Sequence, residues 1–414
     1  VAIHPKQEIP PLKTSILLVL PALFLAGTKD AAGVEMIDLP ADPPSRRTVT
    51  LAERWRLGGE DEEVLLGVIT FAARDANGLV YLVDRQLSQV LVIGQDGELV
   101  TTLGREGDGP GELRQPHAMV LLDEGAVGVI QGFPGRIIGL HADGTPAGNT
   151  TLGGDPGEGG FGFLRECLRS GDLYVANTGR MVFDMGTGQA DLTSTLAVYD
   201  LKGTQQAVVA EHSRASDLNR QVFDEAAEFS ELIEWAVGPD GLVYTTPLHE
   251  AYRLTVRNLR GETLRTLQRP FTPRTRTRAD KDELTNGINI VVNGQRQQVQ
   301  NKALDMDPAI RDVAVAGDGR VFVTNCYENR TLLPRGMAGR YDVISPTGAL
   351  LEELTLLVPG FNGKQDALLF LDGTHFVAVR NFDSANATMD AQPDADADET
   401  GVAEPLEVIF LAMP

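Results

Sequence analysis

Apolar and polar residues alternate along this chain in short runs, and the runs recur as one phrase. An apolar run ends at Gly or Asp-Gly. A second run, rich in β-branched residues, ends on a polar residue, and a third leads to another Asp-Gly or Thr-Gly. The clearest copy is 75–104, DANGLVYLVD followed by VLVIGQDGELVTTLG after a short turn. Short alternating runs are the pattern of half-buried strands. Asp-Gly at 96–97 supplies the positive φ that a tight hairpin needs. Further copies span 117–148, 163–209, 232–267 and 310–354, and a sixth combines 366–381 with 404–413.

The hairpin glycines measure the repeat. Gly78, Gly125, Gly171, Gly241, Gly319 and Gly373 are 47, 46, 70, 78 and 54 residues apart. The short intervals hold one four-stranded unit. The long ones carry insertions at 179–191, 212–230 and 270–308, and another at 382–403 interrupts the sixth copy. A single four-stranded sheet leaves two apolar faces and its edges open. Six arranged radially bury each face against a neighbour. A two-sheet sandwich needs fewer copies. The expectation is therefore an all-β, six-bladed β-propeller with four-stranded blades. The sixth copy lacks one strand, and the β segment 48–57, TVTLAERWRL, is expected to close the ring as its outer strand.

The linker after the first copy carries a resemblance. Gly104, Gly107, Gly109, Pro110, Gly111, Glu112, Leu113 and Pro116 are similar to the blade linker of NHL-type and related bacterial six-bladed propellers. A looser form follows at 151–164. The resemblance is strongest over 75–176. It implies the fold and a tendency to bind ligands or proteins, while the fold by itself hosts many activities. Sugar-lactone hydrolases of this architecture hold one divalent metal in the tunnel through Glu, Asn and Asp residues. By that analogy, a metal-dependent, lactonase-like hydrolase or a lyase is the alternative to a binding protein.

Composition narrows the partners. The chain has 414 residues, 58 acidic against 36 basic, and a formal net charge of −22. This argues against long nucleic acid, which needs basic surface. Arg274, Arg276 and Arg278 form a local basic triplet that reads as a solvated loop. Lys6 and Lys13 precede an apolar run at 15–25, SILLVLPALFL, and small residues follow. That is the form of a secretory signal, and the run is short for a membrane span. Residues 1–33 are read as signal and leader, 34–414 as the propeller, with the mature chain beginning between Thr28 and Val34. The expected location is periplasmic, envelope or extracellular, with no stable transmembrane domain. The two cysteines, Cys167 and Cys326, read as separate buried thiols rather than a disulfide framework or a thiolate metal site.

Candidate chemistry is sparse. The Gly-rich loop 104–111 lacks GKS or GKT and a following helix, so blade turning explains it better than phosphate binding. No GxSxG, HxH or HExxH is present. The ends of the second strands form a polar ladder, Asp84, Gln131, Asn177, Thr246, Asn325 and Asn381. The spacing puts it near one mouth of the tunnel, with His249 beside it. Asn and Asp there suit strand-ending turns. Oxygens from several blades could also hold Ca²⁺, although Asp84 is the ladder's one acid. Glu112 and Glu166 read as linker and outer positions, so no acid is placed in the tunnel. No catalytic residue is assigned and no cofactor is expected. The candidate ligand-binding set is Asp84, Gln131, Asn177, His249, Asn325 and Asn381, for a protein or small-molecule partner. In the insertions, 224–235 has helical spacing, Asn293-Gly294 suits a hairpin turn, and 394–400 reads as a disordered acidic loop.

Overall fold

A computed structural model describes residues 28–29, 33–59, 64–153, 160–184, 186–217, 222–286, 290–292, 295–297, 300–390 and 405–414. The apolar run 15–25, the turn 293–294 and the acidic stretch 394–400 lie outside the described residues. The strands fall into six antiparallel blades, numbered here along the chain from the first copy. Blade 1 is Ile69–Arg74, Val80–Asp84, Gln89–Ile93 and Leu99–Leu103. Blade 2 is Pro116–Leu121, Val127–Gln131, Arg136–Leu140 and Pro146–Thr150. Blade 3 is Phe161–Ser170, Leu173–Asp184, Gln189–Asp200 and Gln205–Asp217. Blade 4 is Trp235–Val237, Val243–Thr245, Arg253–Arg257 and Thr263–Gln268. Blade 5 is Ile310–Val315, Val321–Asn325, Met337–Ile344 and Leu350–Leu357. Blade 6 takes Ala367–Phe370, His375–Arg380 and Glu407–Ala412 from the C-terminal end and Ala52–Gly58 from the N-terminal side.

The buried apolar residues form six clusters, one at each junction between neighbouring blades. The cluster between blades 6 and 1 joins Trp55 and Leu57 to Leu82, Leu91 and Val379. Each blade thus buries both faces, and the chain is a six-bladed β-propeller.

The closing segment differs from a single strand over 48–57. Residues Arg46–Thr50 run parallel to Leu350–Leu357 on the edge of blade 5, and Ala52–Gly58 run antiparallel to Glu407–Ala412 in blade 6. Buried Leu51 marks the crossing. Upstream, Glu35–Asp38 lies parallel to Thr263–Gln268 on blade 4. The N-terminal region is therefore a strap across the edges of three consecutive blades, and blades 4 and 5 carry strands beyond their own four. Arg269 fastens the strap. Its guanidinium donates to the Ala41 carbonyl at 2.8 Å and to buried Asp342 of blade 5 at 2.5 Å.

The insertions are ordered where described. Segment 179–191 lengthens the blade 3 hairpin, in which Leu173–Asp184 pairs throughout with Gln189–Asp200. In 224–235 the helix is only Glu225–Glu228, because Leu232 and Trp235 turn into the core as the chain enters blade 4. Ile290–Val292 pairs antiparallel with Gln295–Gln297. The basic triplet is not a solvated loop at Arg274 and Arg276. Arg276 is 9 % exposed and bridges Glu225, at 2.5 and 2.9 Å, to Asp307, at 2.8 Å. Arg274 binds the other Asp307 oxygen at 2.6 Å and Asp280 at 3.0 Å. Burial alone would raise Glu225, but His249 and Arg276 pull it down to about 2. Pairing of this kind offsets the cost of burying the charges. Arg278 alone is solvated. Both cysteines are free and buried.

Glycines answer two sequence questions. Gly97, in the Asp-Gly turn of blade 1, has φ of 91°, and a Cβ there would sit 2.6 Å from Trp55 Cβ. The turn thus also admits the closing strand. In the linker, Gly109 N–H donates to the Glu112 carboxylate at 2.8 Å, and Arg105 binds the same carboxylate. The loop carries its own anion, which agrees with blade turning rather than phosphate binding.

Trp55 is 6 % exposed and stacks on Phe410 of the neighbouring strand, with centroids 5.1 Å apart. Trp55→Ala is expected to destabilise the protein by about 3–5 kcal/mol, read as a lower denaturant midpoint. An unchanged midpoint would mean that the closing strand is dispensable.

Candidate ligand site in the axial channel

The innermost strands of blades 1, 2, 3 and 5 share an irregularity. Pairing with the second strand skips Thr70, His117, Arg165 and Arg311. Each is a bulge, which kinks a strand and re-aims its side chains. The bulges also tie blades together. Thr70 Oγ1 donates to the His117 carbonyl at 3.1 Å, and His117 Nε2 lies 2.9 Å from the Arg165 carbonyl. A carbonyl only accepts, so the Nε2–H tautomer is required. Burial lowers the His117 pKa, which keeps the ring neutral.

The inner strands enclose a channel of about 920 Å³ with walls from all six blades. A second cavity of about 560 Å³, beside blades 3 and 4, adjoins it and shares Phe71, Glu166, Leu168 and Ile233. Glu166, Glu234 and Asp312 line the channel from blade 3, the entry to blade 4, and blade 5. Glu166 and Asp312 directly follow bulged residues. Glu166 is therefore not in an outer position, and the tunnel does not lack acids.

Electrostatics set an order of ionisation. Asp312 leaves more than a third of its surface open to the channel. Its pKa is raised because protein surrounds it on the other sides, while the Val313 N–H opposes the shift. Its charge acts on Glu166 and Glu234 and theirs does not oppose its own ionisation, so it is the first of the three to ionise. Burial and then the Asp312 charge push Glu166 up to about 7, against the indole of Trp235. Burial, Asp312 and Glu166 push Glu234 up to about 9, against Arg311. Trp235 is itself 4 % exposed, and its Nε1 acts on Glu166 without a hydrogen bond of ordinary geometry. Cys167, on the wall of the adjoining cavity, is kept protonated by burial.

The polar ladder is mostly occupied with its own backbone. Buried Asp84 accepts from Gly67 N–H at 2.8 Å and Leu87 N–H at 3.0 Å. Gln131 accepts from Arg114 N–H and donates to the Phe133 carbonyl. Thr246 donates to the Glu234 carbonyl. Asn325 caps a short turn through Tyr327 N–H, and Asn381, at φ 58°, donates to the Pro405 carbonyl. His249 is turned onto Glu225 at 3.3 Å and packs edge-on against Phe229. Asn177 differs. It donates to the Leu232 carbonyl at 2.9 Å, lines the second cavity, and leaves its buried Oδ1 without a partner. It stands opposite Glu166 in the strand register. Glu166 and Asn177 are thus brought to one cavity wall, and the other ladder members serve turns and linkers. Among the described residues, no group of three His, Cys, Asp or Glu is arranged to hold a metal ion.

Glu234 and Asp312 were missed by sequence reading, although a signal existed. Each is a single acid at the start of a largely apolar inner strand, seven residues before the hairpin glycines Gly241 and Gly319.

No family model and no curated protein matches the chain. Solved structures are similar at low identity. A Bacteroides fragilis protein thought to be exported has 11 % identity and a TM-score of 0.46, covering 92 % of this chain and 99 % of its own. A gluconolactonase of Xanthomonas campestris has 12 % identity and a TM-score of 0.40, covering 91 % and 97 %. A calcium-binding regucalcin of Agrobacterium tumefaciens has 11 % identity and a TM-score of 0.40, covering 89 % and 97 %. At these levels no property of this chain is taken from them.

The acids make stability depend on pH. Glu234 has an ordinary pKa of 4.5 when unfolded and about 9 when folded. Between those values the folded state binds more protons, so stability falls as pH rises. Glu234→Gln is expected to melt about 1–3 °C above the unmodified protein at pH 8.5 and level with it near pH 4.5. Equal melting temperatures at both pH values would show that Glu234 is not perturbed.

Proposed function

We propose that this chain is an exported ligand-binding propeller whose site is the axial channel. The observation that supports this most is the presence of Glu166, Glu234 and Asp312, from three consecutive blades, in the lining of one channel. Isolated carboxylates facing a shared cavity are costly to the fold. Perturbed acids in a cleft are candidates for a functional site. The channel volume suits a small organic molecule. Its acids, with the net charge of −22, disfavour nucleic acid.

The alternative is a metal-dependent hydrolase or lyase. One observation favours it. Glu166 lies opposite Asn177, and a carboxyl titrating near 7 can exchange a proton at neutral pH. Binding is preferred because the trio shares the channel without a metal-ligand cluster among the described residues.

The apolar run 15–25 is read as an export signal. Cleavage at 28–34 leaves intact Glu35–Asp38, the strand paired directly with blade 4, and cuts or removes Thr28–Lys29, which pairs with it. No helix among the described residues is long and apolar enough to cross a membrane.

Ile233 is 52 % exposed and lines both cavities. Ile233→Trp is expected to obstruct the channel while changing stability by less than about 1 kcal/mol. Native mass spectrometry of protein purified from its own cells should show a small molecule retained by the parent and lost from this variant. Retention by both would remove the channel as the site. A stoichiometric divalent ion that resists chelation would favour the hydrolase.

A further inference from the structure

The channel holds more carboxyl groups than its own cations answer. Arg74 and Arg169 line it, but both are engaged elsewhere. Arg74 lies 3.6 Å from Asp372, and Arg169 lies 2.9 Å from Asp123 and 3.8 Å from Asp172. Arg311 acts on Glu234 more weakly than Asp312 and Glu166 do. Among the described residues, Glu166, Glu234 and Asp312 form no ion pair, and the trio is left uncompensated. A cation is the complement that such a site lacks.

Two further observations decide which kind of cation. Calcium takes six to eight oxygens in a closed shell, and no three His, Cys, Asp or Glu among the described residues are arranged for a metal. The rest of the channel lining instead includes apolar and aromatic side chains, among them Phe71, Ile233, Val313, Trp235 and Phe370. Trp235 also turns a buried indole N–H toward Glu166 without closing a hydrogen bond of ordinary geometry. Such a donor is normally satisfied by water or by a ligand. A cavity of about 920 Å³ has room for a whole organic body as well as a charged head.

We propose that the channel binds an organic cation, a primary or secondary ammonium on an apolar body, with its charge held among Glu166, Glu234 and Asp312. This rests on the channel being the ligand site. The ammonium donates hydrogen bonds to the carboxylates, and the apolar body lies along the aromatic side chains of the lining, where cation–π attraction adds to burial. The incoming positive charge favours the ionised carboxylates. Protons held by Glu166 and Glu234 at neutral pH then pass to the solvent as the ligand enters. Binding and proton release are coupled.

The test uses 2-phenylethylamine, cyclohexylmethylamine and N-methylbenzylamine at pH 7.5, each beside the alcohol of the same shape, with CaCl₂ as a separate arm. Calorimetry in two buffers of different ionisation enthalpy reads affinity and proton release together. At least one amine should bind, at least tenfold tighter than its alcohol, with net proton release. The Glu234→Gln/Asp312→Asn double variant should lose at least tenfold in that affinity. A cooperative melt at least as high as the parent's shows that the loss is not unfolding. Equal binding of amine and alcohol, binding of calcium in place of amines, or no amine binding overturns the proposal. A small molecule retained from cells that is lost with Ile233→Trp but indifferent to the double variant overturns the cation alone and leaves the channel as the site.

Discussion

Everything in this molecule depends on a pairing between its two ends. The strand Ala52–Gly58 completes the sheet begun by Ala367–Phe370, so the last blade exists only when the N-terminal side docks on the C-terminal side. A ring of sheets has no free apolar face once it closes, and two such faces while it is open. Closure therefore governs the burial at the junction of blades 6 and 1, where Trp55, Leu57, Leu82 and Val379 meet. The strap extends the same device backwards. Its parallel strands cover the outer edges of blades 4 and 5, which would otherwise present unpaired backbone.

The ring also creates the channel. Six inner strands stand side by side, and side chains that neither neighbour covers face the axis. The bulges at Thr70, His117, Arg165 and Arg311 do two things there. They link neighbouring blades through Thr70 and His117, and they set the strand phase just before Glu166 and Asp312. The ring is rigid for ordinary packing reasons. The acids it holds are destabilising to one another, because each ionised carboxylate raises the cost of the next. Proteins commonly accept such strain where a ligand will later relieve it.

The fold was legible in the sequence because it is local and repeated. Each hairpin is announced by its own glycine, and the Asp-Gly turn at 96–97 needs no distant partner to be recognised. The polar ladder was legible as turn chemistry for the same reason, since Asp84 and Asn325 bond to backbone within three residues of themselves. The Arg triplet was misread because its partners, Glu225 and Asp307, lie 51 and 31 residues from Arg276. The channel acids were missed because Glu166, Glu234 and Asp312 come from three different copies of the repeat. Nothing local to any one of them says that the others are near.

The sequence by itself determined the number of blades, the type of every blade and the existence of a closing strand, because strand period and turn chemistry act over a few residues. It did not determine that the closing segment would be shared between two sheets, or that an upstream strand would lie on a third. Only the tertiary structure decided that, and it alone brought three unpaired carboxyl groups to one channel. Which residues face an axis depends on bulges and on the angle between neighbouring blades, and both are properties of the closed ring.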